Sequence, residues 1–153
     1  MRIAAPTLRS WPLEQVNDFL AWYDDRLADL NTWDLWAVAE IVQKGCGDNG
    51  FANFRAWVLS QGPDAFALAV TDPEAFGLSI DPRQPAEDRE REGLLLAPRL
   101  AYLTLTGSWG PKPKSDGETV GEQWEPGDLR QRLPRLWEQW RTKPPRREER
   151  AAS

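Results

Sequence analysis

Apolar residues recur at every third or fourth position along most of the chain, and this is the spacing of amphipathic α-helices. The longest run follows Pro12, and its apolar positions are Leu13, Val16, Phe19, Leu20, Tyr23, Leu27 and Leu30. The aspartates among them, including Asp24, fall mostly on the polar side of this first predicted helix. A second predicted helix covers residues 33–44 and ends at Gly45, a residue type that commonly follows helices.

Two more helices follow in the first half of the chain. The third begins with a cap at Asp48 or Asn49 and runs to about Gln61, where the pair Gly62-Pro63 stops it. The fourth is short and covers residues 64–70. The first half therefore consists of helices joined by brief turns.

The second half carries fewer periodic runs. Residues 77–86 are predicted to form a loop and residues 87–106 another helix, which Pro98 should start, kink or interrupt. Residues 107–127 hold too many glycines and prolines for a regular element, and a loop of this length in a compact domain is usually functional or mobile. Residues 128–142 are predicted to form the last helix. Because no stretch shows the alternation of apolar and polar residues that is typical of a β-strand, the pattern predicts an all-α fold.

Length and composition favour one domain. The chain has 153 residues, of which 41% are hydrophobic and 28% charged, enough for a single core. We predict one helical domain over residues 1–142, an irregular bundle of five to seven helices with a long Gly/Pro-rich loop, and a disordered basic tail over residues 143–153. No run is long enough to span a membrane, the first residues lack the apolar core of a secretory signal, and a single cysteine, Cys46, excludes an internal disulfide. We therefore expect a cytoplasmic protein.

The chain contains no histidine, and this narrows the chemistry available to it. Histidine is the commonest general base and metal ligand, and zinc rarely binds to carboxylates alone. We therefore expect neither a metal nor another cofactor. Residues 1–80 carry 5 basic against 11 acidic side chains, which suits them poorly to follow a phosphate backbone. Nucleic acid is accordingly a poor candidate partner.

Residues 33–62 hold the most unusual combination of side chains in the chain. Helical spacing places Arg55 on the apolar side of the third helix, where a guanidinium must either reach water or meet an anion. That anion is either a carboxylate of the chain, from Asp34, Glu40 or Asp48, or a group of a ligand or partner protein.

We predict a cleft between the second and third helices that recognises a protein segment or a small anionic ligand. Its predicted lining combines indoles, the arginine and acidic or amide side chains: Trp33, Trp36, Glu40, Asp48, Asn49, Arg55 and Trp57. Two structural interpretations compete with this one. Tryptophans at helical spacing more often belong to a core, and a glycine-rich turn such as residues 45–50 is more often a plain connection between helices than an anion site.

An enzyme is the second hypothesis. Asp48 would act as a general base and Arg55 as a clamp for an anionic substrate group. General base catalysis by an aspartate requires a raised pKa, and burial is the usual cause of such a shift. Because periodicity does not reveal burial of Asp48, we favour the binding module over the enzyme.

The same residues resemble a bacterial protein family. WDLWAVAEIVQKGCGDNGFANFRAWVLSQG is similar to the motif of domain of unknown function 4240, which reads WDLW-A-A and then G-CSDD-GF-FR-WLI-QG. DAFALAVTDPEAF, APRLAYLTLTG and GEQWEPGDLRQRLPRLWEQW are similar to later stretches of the family, so the resemblance covers roughly residues 10–140. The family's Ser-Asp-Asp turn is Gly47-Asp48-Asn49 here, and Glu40 stands near a usually apolar or aromatic position.

The resemblance implies no activity of its own. Some relatives are found next to WGR domains, which are associated with nucleic acids, or are labelled as regulators of molybdenum metabolism. A nucleic-acid-associated regulator is therefore the third hypothesis. Two positions differ from the family motif. Asn49, in place of an aspartate, would impair a site that needs two adjacent carboxylates, and Glu40 could serve as the partner of Arg55.

Overall fold

The computed structural model describes residues 12–110 and 117–141, and α-helices make up most of that part of the chain. In chain order they are α1 Leu13–Asp29, α2 Trp33–Gln43, α3 Asp48–Ser60, α4 Pro63–Thr71, α5 Pro73–Ser79, α6 Glu92–Thr106, α7 Leu129–Arg132 and α8 Pro134–Arg141. Two short 3-10 helices, Ala86–Glu90 and Pro126–Asp128, precede α6 and α7. Within the described ranges, the β-type pairing is a single bridge between Thr32 and Val120. The predicted all-α fold is confirmed.

Prolines explain why eight α-helices appear in the described residues where five to seven were predicted. Pro134 divides the predicted last helix into α7 and α8, because proline lacks the N–H that a helix interior needs but fits the first position of a new helix. Pro73 opens α5 in the same way, with Asp72 accepting a hydrogen bond from the Ala75 N–H at 3.1 Å. Residues 77–79, predicted as loop, complete α5.

The start of α3 differs from the prediction. The residue that caps this helix is Gly47, which makes no side-chain capping bond, and Asp48 is the first helical residue. The prediction that Asp48 or Asn49 caps α3 is therefore wrong. By contrast, Thr32 caps α2 through its hydroxyl, which accepts a hydrogen bond from the Leu35 N–H at 3.1 Å.

Both described ranges contribute to one hydrophobic core. The centre of α2 is fully buried, and Leu136 of α8 packs on it with no exposed surface. Gly77 of α5 allows this approach, because an added Cβ would lie 2.9 Å from both Leu136 Cδ2 and Val38 Cγ1. Residues 143–153, predicted as a disordered tail, lie outside the described residues, and the predicted boundary at residue 142 stays a prediction.

Candidate functional site

A cavity of about 260 Å³ lies between α1, α3 and α6. Most of its wall is aliphatic and comes from Leu20, Leu27, Ala52, Leu95, Leu96 and Pro98. The other four lining residues are Tyr23, Asp24, Arg55 and Arg99. An apolar hollow with a few convergent polar groups is the usual form of a small-molecule site, and this volume lies just below the usual range of about 300–1,000 Å³.

The Tyr23 hydroxyl bonds to the backbone carbonyl that Pro98 leaves without its helical N–H partner. In an α-helix the carbonyl of Leu94 would accept the N–H of residue 98, but Pro98 has none. The Tyr23 hydroxyl donates to that carbonyl instead, at 2.9 Å. Burial, with a smaller contribution from Asp24, raises the pKa of Tyr23, so the hydroxyl keeps its proton and remains a donor. Pro98 therefore lies inside α6 without leaving that carbonyl unsatisfied.

Arg55 is buried, with 6% of its surface exposed. Its Nη1 donates to the carbonyl of Leu27 at 3.1 Å. This carbonyl lies in the last turn of α1, where no N–H group of the same helix is placed to bond to it. Its guanidinium carbon lies 4.9 Å from the centre of the Phe51 ring. A cation at the end of α1 is also favoured by the helix dipole. These contacts fix the arginine at the cavity wall.

Two of the carboxylates predicted as partners of Arg55 bind other groups. Asp34 accepts a hydrogen bond from Arg132 Nε at 2.9 Å, and Glu40 accepts one from the backbone N–H of Cys46 at 2.7 Å. The third predicted partner, Asp48, is exposed in the first turn of α3.

Asp24 and Arg99 form the second charged feature of the cavity. Arg99 Nη2 donates to Asp24 Oδ2 at 2.7 Å, which joins α6 to α1. The side chains are only 12% and 13% exposed for Arg99 and Asp24, so this ion pair is mostly desolvated. Asp24 is therefore the exception among the aspartates of α1, because Asp18, Asp25 and Asp29 are exposed as predicted. With Arg55, the described residues of the cavity wall include two guanidiniums and one carboxylate.

Two tryptophans of the predicted cleft, Trp33 and Trp36, belong to an aromatic cluster with Phe51 and Trp124. Trp33 stacks on Trp36 with ring centres 5.2 Å apart, Trp36 stacks on Phe51 at 4.8 Å, and Trp124 meets both indoles edge-on. Two of the indole N–H groups bind backbone carbonyls: Trp36 Nε1 donates to the Cys46 carbonyl at 2.7 Å and Trp124 Nε1 to the Trp33 carbonyl at 2.8 Å. This cluster resembles a core in its packing and its satisfied polar groups.

The predicted site residues are thus divided among several places. Trp57 packs on Phe54 and Phe76, with ring centres 5.6 and 6.1 Å away. Asp48 and Asn49 are exposed at the start of α3. Of the whole predicted set, Arg55 is the member that lines the cavity, and Phe51 lies between its guanidinium and the Trp36 indole. A binding role for the other members stays a prediction.

A buried polar network, which sequence reasoning missed, joins α2 to the first 3-10 helix. Arg89 is 2% exposed, and its Nε donates to Gln43 Oε1 at 2.6 Å. Gln43 in turn donates to Glu90 Oε2 at 2.7 Å, and Glu90 Oε1 lies 3.9 Å from the Cys46 sulfur. Burial first, and then Glu90 and Glu40, raise the pKa of the Cys46 thiol to about 12, which leaves it protonated and unreactive at neutral pH.

The comparisons with known proteins complete this description. A family model described as "Protein of unknown function (DUF4240)" matches residues 1–104 of the 153. The match ends before α7 and α8, although the resemblance noted above continues to about residue 140. No curated protein and no solved structure matches the chain. Over residues 12–110 and 117–141, no helix is long and apolar enough to cross a membrane, and no cluster of three His, Cys, Asp or Glu side chains could hold a metal ion.

Proposed function

The chain belongs to the DUF4240 family, and we propose that it is a small helical binding module whose cavity between α1, α3 and α6 receives the anionic group of a small ligand. The predicted cleft between α2 and α3 is replaced in this proposal by a cavity on the other side of α3. Arg55 keeps the role of anion receptor, and Arg99 joins it.

The cavity itself carries the proposal. Its guanidiniums are held in place before any ligand arrives, Arg55 by the Leu27 carbonyl and the Phe51 ring, and Arg99 by Asp24. Side chains that are already oriented lose little conformational freedom on binding, which favours recognition of a small molecule. The aliphatic walls would cover the apolar part of the ligand.

A protein segment is the second candidate for the occupant. Leu96, which lines the cavity, is 38% exposed, and Leu100 one turn later is 41% exposed. An apolar surface beside the cavity would suit a longer ligand such as a peptide with an acidic or carboxyl-terminal group.

The two remaining hypotheses gain no support from the described residues. Asp48 is exposed and does not line the cavity, so it lacks the burial that would fit it for general base catalysis. The cavity arginines are largely buried, whereas residues that follow a nucleic-acid backbone lie along a surface. A cytoplasmic location and a bacterial origin remain part of the proposal, supported by the single cysteine and by the family resemblance respectively.

The proposal is tested by filling the cavity. Ala52→Leu places three extra carbon atoms in it, and Ala67→Leu makes the same exchange at an exposed position of α4 as the matched control. Thermal unfolding would be measured with a panel of small anions: 4-methylpentanoate, benzoate, inorganic phosphate and phenyl phosphate, together with an N-acetylated peptide ending in leucine.

We expect at least one anion at about ten times its Kd to raise the Tm of the wild type and of Ala67→Leu by about 3–6 °C. The Ala52→Leu variant should show no such shift. An equal shift in all three proteins, or no shift with any compound, would overturn the proposal. If the peptide binds in this cavity-dependent way and the small anions do not, the occupant is a protein segment.

A further inference from the structure

Among the residues that the structure describes, the cavity offers a ligand side chains and no free backbone donors. Its lining begins at residue 20 in α1, 52 in α3 and 95 in α6, whereas the helices begin at residues 13, 48 and 92. Every lining residue therefore lies beyond the first turn, where backbone N–H groups are bonded within the helix. Phosphate groups in proteins are commonly held by the free N–H groups of a helix N-terminus, and the described part of this cavity wall has no such feature.

The charges of the wall favour a ligand with one negative charge. Two guanidiniums of the wall attract a bound anion, whereas the carboxylate of Asp24 repels it. Asp24 would repel a dianion more strongly than a monoanion at the same position. The bond from Arg99 to Asp24 uses one of the five N–H donors of that guanidinium, and the planar fork of an arginine matches a planar carboxylate.

The remaining walls favour an aliphatic body. Six of the ten lining residues in the described ranges are leucine, alanine or proline, and the aromatic residue among the ten, Tyr23, has its hydroxyl bonded to the Leu94 carbonyl. None of these ten residues carries an amide side chain that could pair with a sugar or a nucleobase. The volume of about 260 Å³ suits a small ligand.

We infer that the ligand is a short aliphatic monocarboxylate, an inference that rests on the proposed function of the cavity. Its carboxylate lies against the guanidiniums of Arg99 and Arg55, and its hydrocarbon part packs between the leucines of α1 and α6. No covalent step takes place.

The experiment compares a carboxylate with ligands that differ from it in charge or in the length of the hydrocarbon part. Backbone amide shifts of ¹⁵N-labelled protein would be followed by NMR during titration with 4-methylpentanoate, the uncharged 4-methylpentanamide, the dianionic 3-methylbutyl phosphate, and acetate, which lacks the hydrocarbon part. We expect 4-methylpentanoate to bind with a Kd on the order of 0.1–1 mM, with shifts concentrated in α1, α3 and α6. Each of the other three should bind at least about tenfold more weakly.

Variants then test the assigned charges. Arg99→Gln should weaken 4-methylpentanoate binding by about 10-fold or more, and Arg83→Gln, which removes an exposed arginine paired with Asp81, should leave it unchanged. Asp24→Asn removes the negative charge of the wall. The ratio of the Kd for 3-methylbutyl phosphate to the Kd for 4-methylpentanoate should therefore fall by about tenfold. A purely structural role for Asp24 would not alter that ratio. If a variant fails to fold, the comparison of ligands with the wild-type protein still tests whether the cavity prefers a monocarboxylate.

The outcomes separate this inference from the proposed function. If 3-methylbutyl phosphate or benzoate binds more tightly than 4-methylpentanoate, and Ala52→Leu abolishes that binding, the inference is overturned and the anion-binding function stands. If 4-methylpentanamide binds as tightly as the carboxylate, recognition of charge is wrong and both fail. If no compound shifts the resonances of the cavity, the proposed function fails with the inference.

Discussion

The hydrogen bond from Tyr23 to Leu94 follows from the position of Pro98, and Tyr23→Phe tests that dependence. The substitution removes only the hydroxyl, which donates to the Leu94 carbonyl at 2.9 Å. The carbonyl then has neither the hydroxyl nor the N–H that Pro98 lacks. A neutral hydrogen bond contributes about 1 kcal/mol net, and an unsatisfied buried group costs about 1–3 kcal/mol. We expect the free energy of unfolding to fall by about 2 kcal/mol.

A double-mutant cycle separates this effect from the loss of a hydroxyl in general. Urea unfolding followed by circular dichroism would be measured for the wild type, Tyr23→Phe, Pro98→Ala and the double variant. Alanine at position 98 restores the missing N–H, so Tyr23→Phe should cost about 1 kcal/mol less in that background. Tyr102→Phe, on the same helix as Pro98, is the control and should change stability by less than about 0.5 kcal/mol.

The result that would refute this reasoning is a cost of Tyr23→Phe that is the same in both backgrounds within about 0.5 kcal/mol. Tyr23 would then stabilise the fold by packing alone, and α6 would satisfy the Leu94 carbonyl in another way. The cycle also informs the cavity, because Tyr23 and Pro98 are both part of its wall.

Two further predictions concern glycine packing and the buried thiol. The free energy of unfolding in urea should be about 1–3 kcal/mol lower for Gly77→Ala than for Gly93→Ala. An added Cβ at Gly77 lies 2.9 Å from atoms of Leu136 and Val38, whereas one at Gly93 has no atom within 4 Å. Equal stabilities of the two variants would contradict the close packing of α5 on α2 and α8. Burial raises the pKa of the Cys46 thiol to about 12 in the folded protein, whereas the thiol of the unfolded chain ionises from about pH 8.5. Ionisation therefore favours the unfolded chain between these two values. The free energy of unfolding should fall over this range by up to about 1.4 kcal/mol per pH unit. Cys46→Ala should remove that part of the alkaline decline in urea titrations against pH, and an unchanged decline would show that the thiol is not the cause.

The helices were predictable because each has an apolar stripe and a residue that ends it. The spacing of leucines located α1, and Gly45 and Gly62 marked the ends of α2 and α3. The exact start of α3 was not predictable, because Gly47, Asp48 and Asn49 are all acceptable capping residues and the choice depends on the backbone around them. Local sequence determines which segments are helical more firmly than it determines their first residue.

The tertiary partners within the site were beyond prediction for a different reason. Arg55 was singled out because a charge on an apolar helix face requires a partner, and that requirement is local. Which group meets it is not local: Leu27 is 28 residues away, and the Asp24–Arg99 pair spans 75 residues. Asp24 was assigned to the polar side of α1 because periodicity describes one helix at a time and does not show where α6 packs.

Trp124 shows the same limit. It lies in an irregular segment without apolar periodicity, yet its indole closes the cluster formed by Trp33 and Trp36 and donates to the Trp33 carbonyl. Sequence reasoning assigned the two tryptophans of α2 to a cleft because the residue that covers them was 91 positions away. Because Trp124 packs on both indoles and the Trp36 N–H is hydrogen-bonded, packing in the core explains why these large side chains are present.

The cavity charges do not have such an explanation in packing alone. A mostly desolvated ion pair contributes little net stability, because desolvation offsets most of the attraction, and apolar residues of similar volume are often equally stabilising. The pair between Asp24 and Arg99 and the buried Arg55 are therefore a poor way to fill space between α1, α3 and α6. Their arrangement around a hollow with aliphatic walls, where apolar side chains could have packed, is the physical reason to regard this region as a binding site.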